Sequence, residues 1–217
     1  MGTKSKKGGG FEREMCKLLS LWWSHNKRDD IFWRTAGSGG RATVRRKQGL
    51  RTADSAADMM ASHESGKPLT NACLFEMKRG YSDKHKIVKN KKTKKLSVKK
   101  VSYGLGILTI LDKQPKQKDP ILLQWWEKLE EERISTGRKF SFIIFRRDAK
   151  QGCIVMSYKT LKLLTKRNHH FQARMLSIHF PRPERIYPLV ILKLNDFLKW
   201  CKPESFIDLP RQIKRRK

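Results

Sequence analysis

Acidic residues are scarce in this chain. Asp and Glu number 20 against 50 Lys and Arg in 217 residues, a formal charge of +30. Solubility does not need an excess of that size, which makes a compact fold repel itself, so a polyanionic partner is implied, most simply nucleic acid. Cysteine is sparse as well. Cys16, Cys73, Cys153 and Cys201 are scattered with no C-x-x-C pair, which argues against a zinc site or a disulfide framework and for free thiols in a reducing compartment. The six histidines, His169 and His170 adjacent among them, lack metal-binding spacing. No run of apolar residues is long enough to span a bilayer, and the basic stretches lack the interleaved apolar face of an interfacial helix. Met1 to Gly10 is Lys- and Gly-rich with no apolar segment, so a secretory signal is not expected there. No internal repeat is visible.

What is present is enough chain for one domain with an elaboration, burying roughly 70% of its unfolded surface. A helix is expected from Phe11, where Phe11, Met15, Leu18, Leu19 and Trp22 form one stripe. Glu12 and Glu14 flank it in what reads as its first turn. Ile31 to Arg34 reads as a short strand running into the flexible turn Ala36 to Gly40, and the basic Arg41 to Arg51 reads as a loop. Asp58 to Ala61 begins a second strand, and Glu64 to Lys67 turns into a third at 71–78. Residues 79–100 hold nine lysines from Lys84 to Lys100 and read as a solvated, self-repelling loop. A strand is expected at 105–111. A helix follows, capped by Asp119 with Pro120 first and Gly137 last, and with Leu122, Trp125 and Leu129 facing the core. Phe140 to Phe145 and Cys153 to Tyr158 read as a hairpin, and Tyr187 to Leu194 as a last strand leading to a short helix near 195–201. The order gives an α/β or α+β sandwich.

The chemistry concentrates in Cys73-Leu74-Phe75-Glu76-Met77-Lys78. On a strand Glu76 and Lys78 share one face, and Phe75 and Met77 the other. Standing alone, Glu-x-Lys is usually a solvated pair. With Asp58 on the preceding strand, the two carboxylates can hold Mg²⁺, which wants oxygen ligands and keeps several waters. Lys78 would then polarise a metal-bound water or neutralise developing charge, as phosphodiester hydrolysis requires. Asp54 competes with Asp58, but only Asp58 precedes apolar residues that make a buried strand. A third carboxylate from a helix could complete the site, where Glu12 competes with Glu14. The pairs Trp22-Trp23 and Trp125-Trp126 read as packing, and His169-His170 as surface.

Four elements in order resemble a family. Lys7-Gly8, three residues and Glu12-Arg13-Glu14 are similar to the opening K-G-x-x-x-E-R-E of archaeal-type Holliday junction resolvases, members of the PD-(D/E)XK nuclease superfamily. Trp33 to Gly39 is similar to their R-x-A-G-S-G turn, Ala57 to Ala61 to their metal-binding aspartate strand, and Phe75 to Lys78 to their E-x-K. The resemblance implies a restriction-endonuclease-like α/β core, a mixed central sheet flanked by helices, with a basic insertion and a C-terminal extension. It implies catalytic Glu12, Asp58, Glu76 and Lys78, with Asp58, Glu76 and Glu12 toward a Mg²⁺ that Mn²⁺ can replace, together with the Met77 carbonyl. Lys7, Arg13, Arg34, Ser38 and Arg41 are implied as DNA contacts. A homodimer is implied too, since a four-way junction needs two symmetric cuts.

The expected organisation is a flexible basic arm over 1–10, a nuclease core over 11–165 with its Lys-rich insertion at 79–100, an extension over 166–210 packed on the core, and a basic tail over 211–217. The Asp58 to Glu76 gap is longer than in compact resolvases, and the insertion and extension have no counterpart in them, which bears on junction specificity. A prokaryotic or phage-infected host cytoplasm suits the size and composition.

Overall fold

A computed structural model describes residues 4–35, 57–81, 84–89, 95–101, 105, 118–168, 171–181 and 186–207. Helix α1 spans Lys4–Trp23. Its buried positions Phe11, Met15, Cys16, Leu19 and Trp23 recur at helical spacing and form the stripe that faces the sheet. The helix begins before the expected Phe11, so the stretch read as a flexible arm is helical from Lys4 on and runs through Gly8-Gly9-Gly10. Glycine disfavours helix, and a tertiary contact offsets that preference here. A Cβ at Gly9 would stand 3.0 Å from Nη1 of Arg34, so glycine lets the guanidinium lie against the helix. Glu12 and Glu14 consequently sit well inside the helix rather than in its first turn, away from the N-terminal dipole.

Ser20 fastens α1 to the next element: its hydroxyl donates to the Cys16 carbonyl at 2.8 Å and accepts the Phe32 amide at 2.9 Å. Strand β1 (Phe32–Arg34) pairs antiparallel with β2 (Met59–Ala61). The expected turn at 64–67 is instead a 3₁₀ turn, Glu64–Gly66, followed by a short helix α2, Lys67–Ala72. Pro68 suits a first helical turn. Gly66 is needed for space, because a Cβ there would lie 2.7 Å from both Ile31 Cγ2 and Phe32 Cε1.

Strand β3 (Cys73–Arg79) opens a five-stranded mixed sheet. The crossover helix α3 (Ile121–Thr136) leads to β6 (Phe140–Arg146), which runs parallel to β3. The expected hairpin is present, with β7 (Gly152–Ser157) antiparallel to β6. Helix α4 (Tyr158–Arg167), capped by the Ser157 hydroxyl, leads to β8 (Met175–Pro181) and β9 (Ile186–Lys193), then α5 (Leu194–Trp200). The strand order is β3-β6-β7-β9-β8. The segment expected as an extension packed on a finished core therefore supplies two of the five strands, and the boundary at 165 does not divide the fold. The strand expected at 187–194 is β9 and the short helix expected after it is α5, whereas β8 was not expected.

Two apolar layers hold the sheet. On one face Phe75, Met77, Phe142, Ile144 and Ile154 meet α1, α4 and α5. On the other, Leu74, Ile143 and Val155 meet Leu122, Leu123, Trp126 and Leu129 of α3. Trp126 takes the core place expected of Trp125, which is half-buried with its ring edge-on to Tyr81. Pro120 rather than Asp119 is the N-cap of α3, while Gly137 ends it in the left-handed region, φ 70°, as expected. Three of the cysteines are buried and all four are free thiols. Burial pushes the Cys16 and Cys201 thiols up to about 12, so they are inert packing groups.

The Lys-rich stretch read as a loop contains paired strands. Strand β4 (Lys84–Lys89) and strand β5 (Leu96–Val101) form a separate antiparallel ribbon. Ile87, Val88, Val98 and Val101 supply the β-branched residues that favour strand. The stretch also carries an aliphatic face, contrary to expectation: Ile87, Leu96 and Val98 are exposed. Among the described residues no helix is long and apolar enough to cross a membrane. The turn at 36–40, the basic segment 41–51, Asp54, the strand at 105–111 beyond its first residue, His169-His170 and the tail at 211–217 lie outside the described residues.

Candidate metal centre

Strand β3 lies at one edge of the five-stranded sheet, and its last residues set the site. Phe75 and Met77 enter the α1-side core while Leu74 enters the α3-side core, so alternation puts Glu76 and Lys78 together on the α3 side. Their side chains are ion-paired, Lys78 Nζ to Glu76 Oε1. The same ammonium stands 4.0 Å from Asp58 Oδ2. Only 5% of Asp58 and 9% of Glu76 is exposed. Two carboxylates and one lysine thus share a nearly dry place.

Backbone contacts fix Asp58 against the strand. Its amide donates to the Phe75 carbonyl at 2.9 Å, and its carbonyl accepts the Thr35 amide at 3.1 Å. Its Oδ2 accepts the Met77 amide at 2.7 Å. The residue before it, Ala57, is held at φ 62°, a left-handed conformation that costs a non-glycine residue energy. The Glu132 carboxylate of α3 accepts the Ala57 amide at 3.2 Å and helps keep it there.

Helix α1 brings Glu12 from the other side. Its Oε2 accepts Arg34 Nε at 3.0 Å, and the pair is largely buried. Glu14, expected as its competitor, faces elsewhere: Arg146 at the end of β6 binds both its oxygens at 2.6 Å and lies over the Phe11 ring. That clamp ties α1 to the sheet and leaves Glu12 as the helix carboxylate of the cluster.

Electrostatics mark Asp58 as the shared neighbour. Burial raises the Glu76 carboxyl above its ordinary value, and the Asp58 charge adds to this against the pull of Lys78. Burial likewise raises Glu12, with Asp58 adding and Arg34 opposing. For Lys78, burial works downward, but Glu76 and Asp58 together outweigh it and hold the ammonium above its ordinary value. Negative charge is crowded here beyond what Lys78 and Arg34 neutralise.

That crowding is what a hard divalent cation relieves. Among the described residues no three His, Cys, Asp or Glu side chains converge closely enough to cage an ion. The donor set suits instead an open Mg²⁺ site, since Mg²⁺ binds through one or two carboxylates and keeps its waters. A second observation agrees: among the described residues the buried Thr35 hydroxyl has no hydrogen-bond partner, and it is next to Asp58 in the backbone ladder. Such an orphan normally meets a water or ligand. Asp58 and Glu76 fit as ligands, and Glu12 fits through water.

Of the sequence-predicted residues, Asp58, Glu76 and Lys78 are brought into contact, and Glu12 and Arg34 join them through the field of Asp58. Arg13 is exposed on α1. Lys7 lies on α1, and Ser38 and Arg41 lie outside the described residues. Sequence reasoning missed Thr35 and Glu132. Thr35 carried a signal in its place within Trp33-Arg34-Thr35-Ala36; Glu132 carried none, being one of several glutamates on a helix. Set against protein-family models, curated proteins and solved structures, the chain matches none.

Proposed function

We propose that this protein is a Mg²⁺-dependent DNA endonuclease with a restriction-endonuclease-like core, of the PD-(D/E)XK type and akin to Holliday junction resolvases. The observation that carries the reading is the buried Asp58, Glu76 and Lys78 cluster at the end of β3, in a chain of charge +30. Groups that costly to bury are kept where chemistry needs them.

Asp58 and Glu76 hold the metal, which when bound supplies Lewis-acid stabilisation and a water of lowered pKa. Lys78, ion-paired with Glu76 and held above its ordinary value by its carboxylate neighbours, serves as a positive charge beside the metal site. In that role it meets the negative charge that builds on the phosphate. Glu12 holds the Arg34 guanidinium in place, ready for a backbone phosphate. Lys7, Arg13, Ser38 and Arg41 complete the proposed DNA contacts, and a homodimer presents two such sites to a branched substrate.

The test is cleavage of four-way junctions and of linear duplex of equal length, with Mg²⁺ or Mn²⁺, by wild type and Glu76→Ala. Metal-dependent cutting that the variant loses while still binding DNA supports an enzyme. Binding without cutting under any divalent metal overturns it in favour of a non-catalytic basic DNA-binding protein. Equal cutting of both substrates retains the nuclease and removes the junction preference, leaving a restriction-like or repair endonuclease.

A further inference from the structure

The β4–β5 ribbon presents an apolar strip to solvent. Ile87 and Val98 are opposed across the two strands, and Leu96 is two residues from Val98 on the same face. They are exposed by 73%, 68% and 70% respectively. Single exposed aliphatic residues are ordinary, but three adjoining ones on a ribbon mark a contact surface. The surrounding sequence selects the partner. Residues 84–101 contain nine lysines and no acidic residue. A second copy of the ribbon would be repelled, and so would any basic protein; a polyanion with apolar groups on its surface is attracted.

Duplex DNA has that character. Its major groove is wide enough for a two-stranded ribbon, and its floor carries the thymine methyl groups, the apolar feature there. Chain connectivity sets the place: five residues lie between Lys78 and Lys84, so the ribbon starts within about 20 Å of the cluster, roughly one duplex diameter. Gly80 at φ 92° and Tyr81 at φ 62° end the extended run of β3 at that point.

We propose that the β4–β5 ribbon docks in the major groove of a duplex arm beside the cleavage site, with Ile87, Leu96 and Val98 against thymine methyl groups. The lysines supply the salt-dependent attraction, and the aliphatic strip supplies shape and a preference for thymine-containing sequence. The proposal rests on the nuclease reading for the neighbouring site, and the test separates the two.

Binding is measured by fluorescence anisotropy on a thymine-rich duplex and on the same duplex with uracil in place of thymine, which removes only the methyl groups. The full-length protein is compared with its Ile87→Ala/Leu96→Ala/Val98→Ala variant, whose lysines are intact. Wild type should bind the thymine duplex about tenfold tighter than the variant does, from the apolar area lost. It should also lose several-fold on the uracil duplex, while the variant does not distinguish the two. The slope of affinity against salt should be the same for both proteins. Equal affinity of wild type and variant overturns the proposal. So does a variant that still distinguishes thymine from uracil, or a wild type that does not. A change of sedimentation state in place of DNA affinity also overturns it and assigns the strip to a protein contact. Circular dichroism of the variant confirms that the fold is retained. Cleavage with Mg²⁺ is scored separately: wild type that binds as described but never cuts sinks the nuclease reading and leaves the docking intact.

Discussion

Strand β3 and the ribbon that follows it depart from the usual partition of residues in opposite ways. At the end of β3 the charged groups Asp58 and Glu76 are buried. A few residues on, Ile87, Leu96 and Val98 are in water. Each inversion is unfavourable for the isolated chain. On the proposed reading, a nucleic acid and a divalent cation would relieve both.

The comparison can be broken most forcefully at Lys78. Lys78→Met removes the cation from between Glu76 and Asp58, and loss of one partner of a buried pair costs about 3–5 kcal/mol. Cleavage should fall by about 10³-fold, the effect of removing a fixed charge that acts in the transition state. Chemical denaturation and initial rates check the two figures; a variant with wild-type rate removes Lys78 from the chemistry.

The second effect is on pH and metal. Glu12 and Glu76 are both raised above their ordinary 4.5 in the fold. The folded state therefore binds more protons than the unfolded chain between 4.5 and the raised values. Stability is fully present below 4.5 and declines as pH rises through the raised values. In chelated buffer Tm should fall over that window. Added Mg²⁺ should raise Tm more at pH 8 than at pH 4.5, since ligands must be deprotonated. An equal Mg²⁺ effect at both pH values contradicts carboxylate ligation.

Thr35→Val is a subtler probe. Removing a buried, unpartnered hydroxyl at nearly constant shape should leave stability within about 1 kcal/mol or increase it. If that oxygen serves a metal-bound water, the Mg²⁺ concentration for half-maximal cleavage should still rise several-fold. Unchanged metal dependence makes the orphan incidental. The smallest effect belongs to the ribbon: Ile87→Ser should change stability by no more than about 0.5 kcal/mol, since the side chain packs against little. A larger loss would mean that the strip covers the body of the protein.

Much of this was legible before the fold was known. The helical stripe at Phe11 to Trp23, the alternation at Phe75 to Lys78 and the β6–β7 hairpin are written in local periodicity, and Asp58 was chosen by the apolar residues after it. The same logic failed where a long-range contact decided the outcome. Gly8-Gly9-Gly10 suggested a break, but the Arg34 guanidinium against Gly9 makes glycine the fitting residue in that helix. Lysine content masked the strand preference of Ile87 and Val98, because charge density reports solvation and not pairing. Glu132 could not be found at all, since its role is to hold an amide 75 residues away.

The place of β9 has a consequence for how the molecule is made. It is the last strand among the described residues, yet it lies between β7 and β8 and bonds to both. While the chain emerges from a ribosome, β3 and the carboxylate cluster appear early, but the sheet that supports them cannot close until residues 186–193 arrive. A chain stopped before Ile186 would therefore carry every residue of the cluster without a finished sheet behind it. The sheet behind the cluster is thus completed only once residues 186–193 have been made, more than a hundred residues after Glu76.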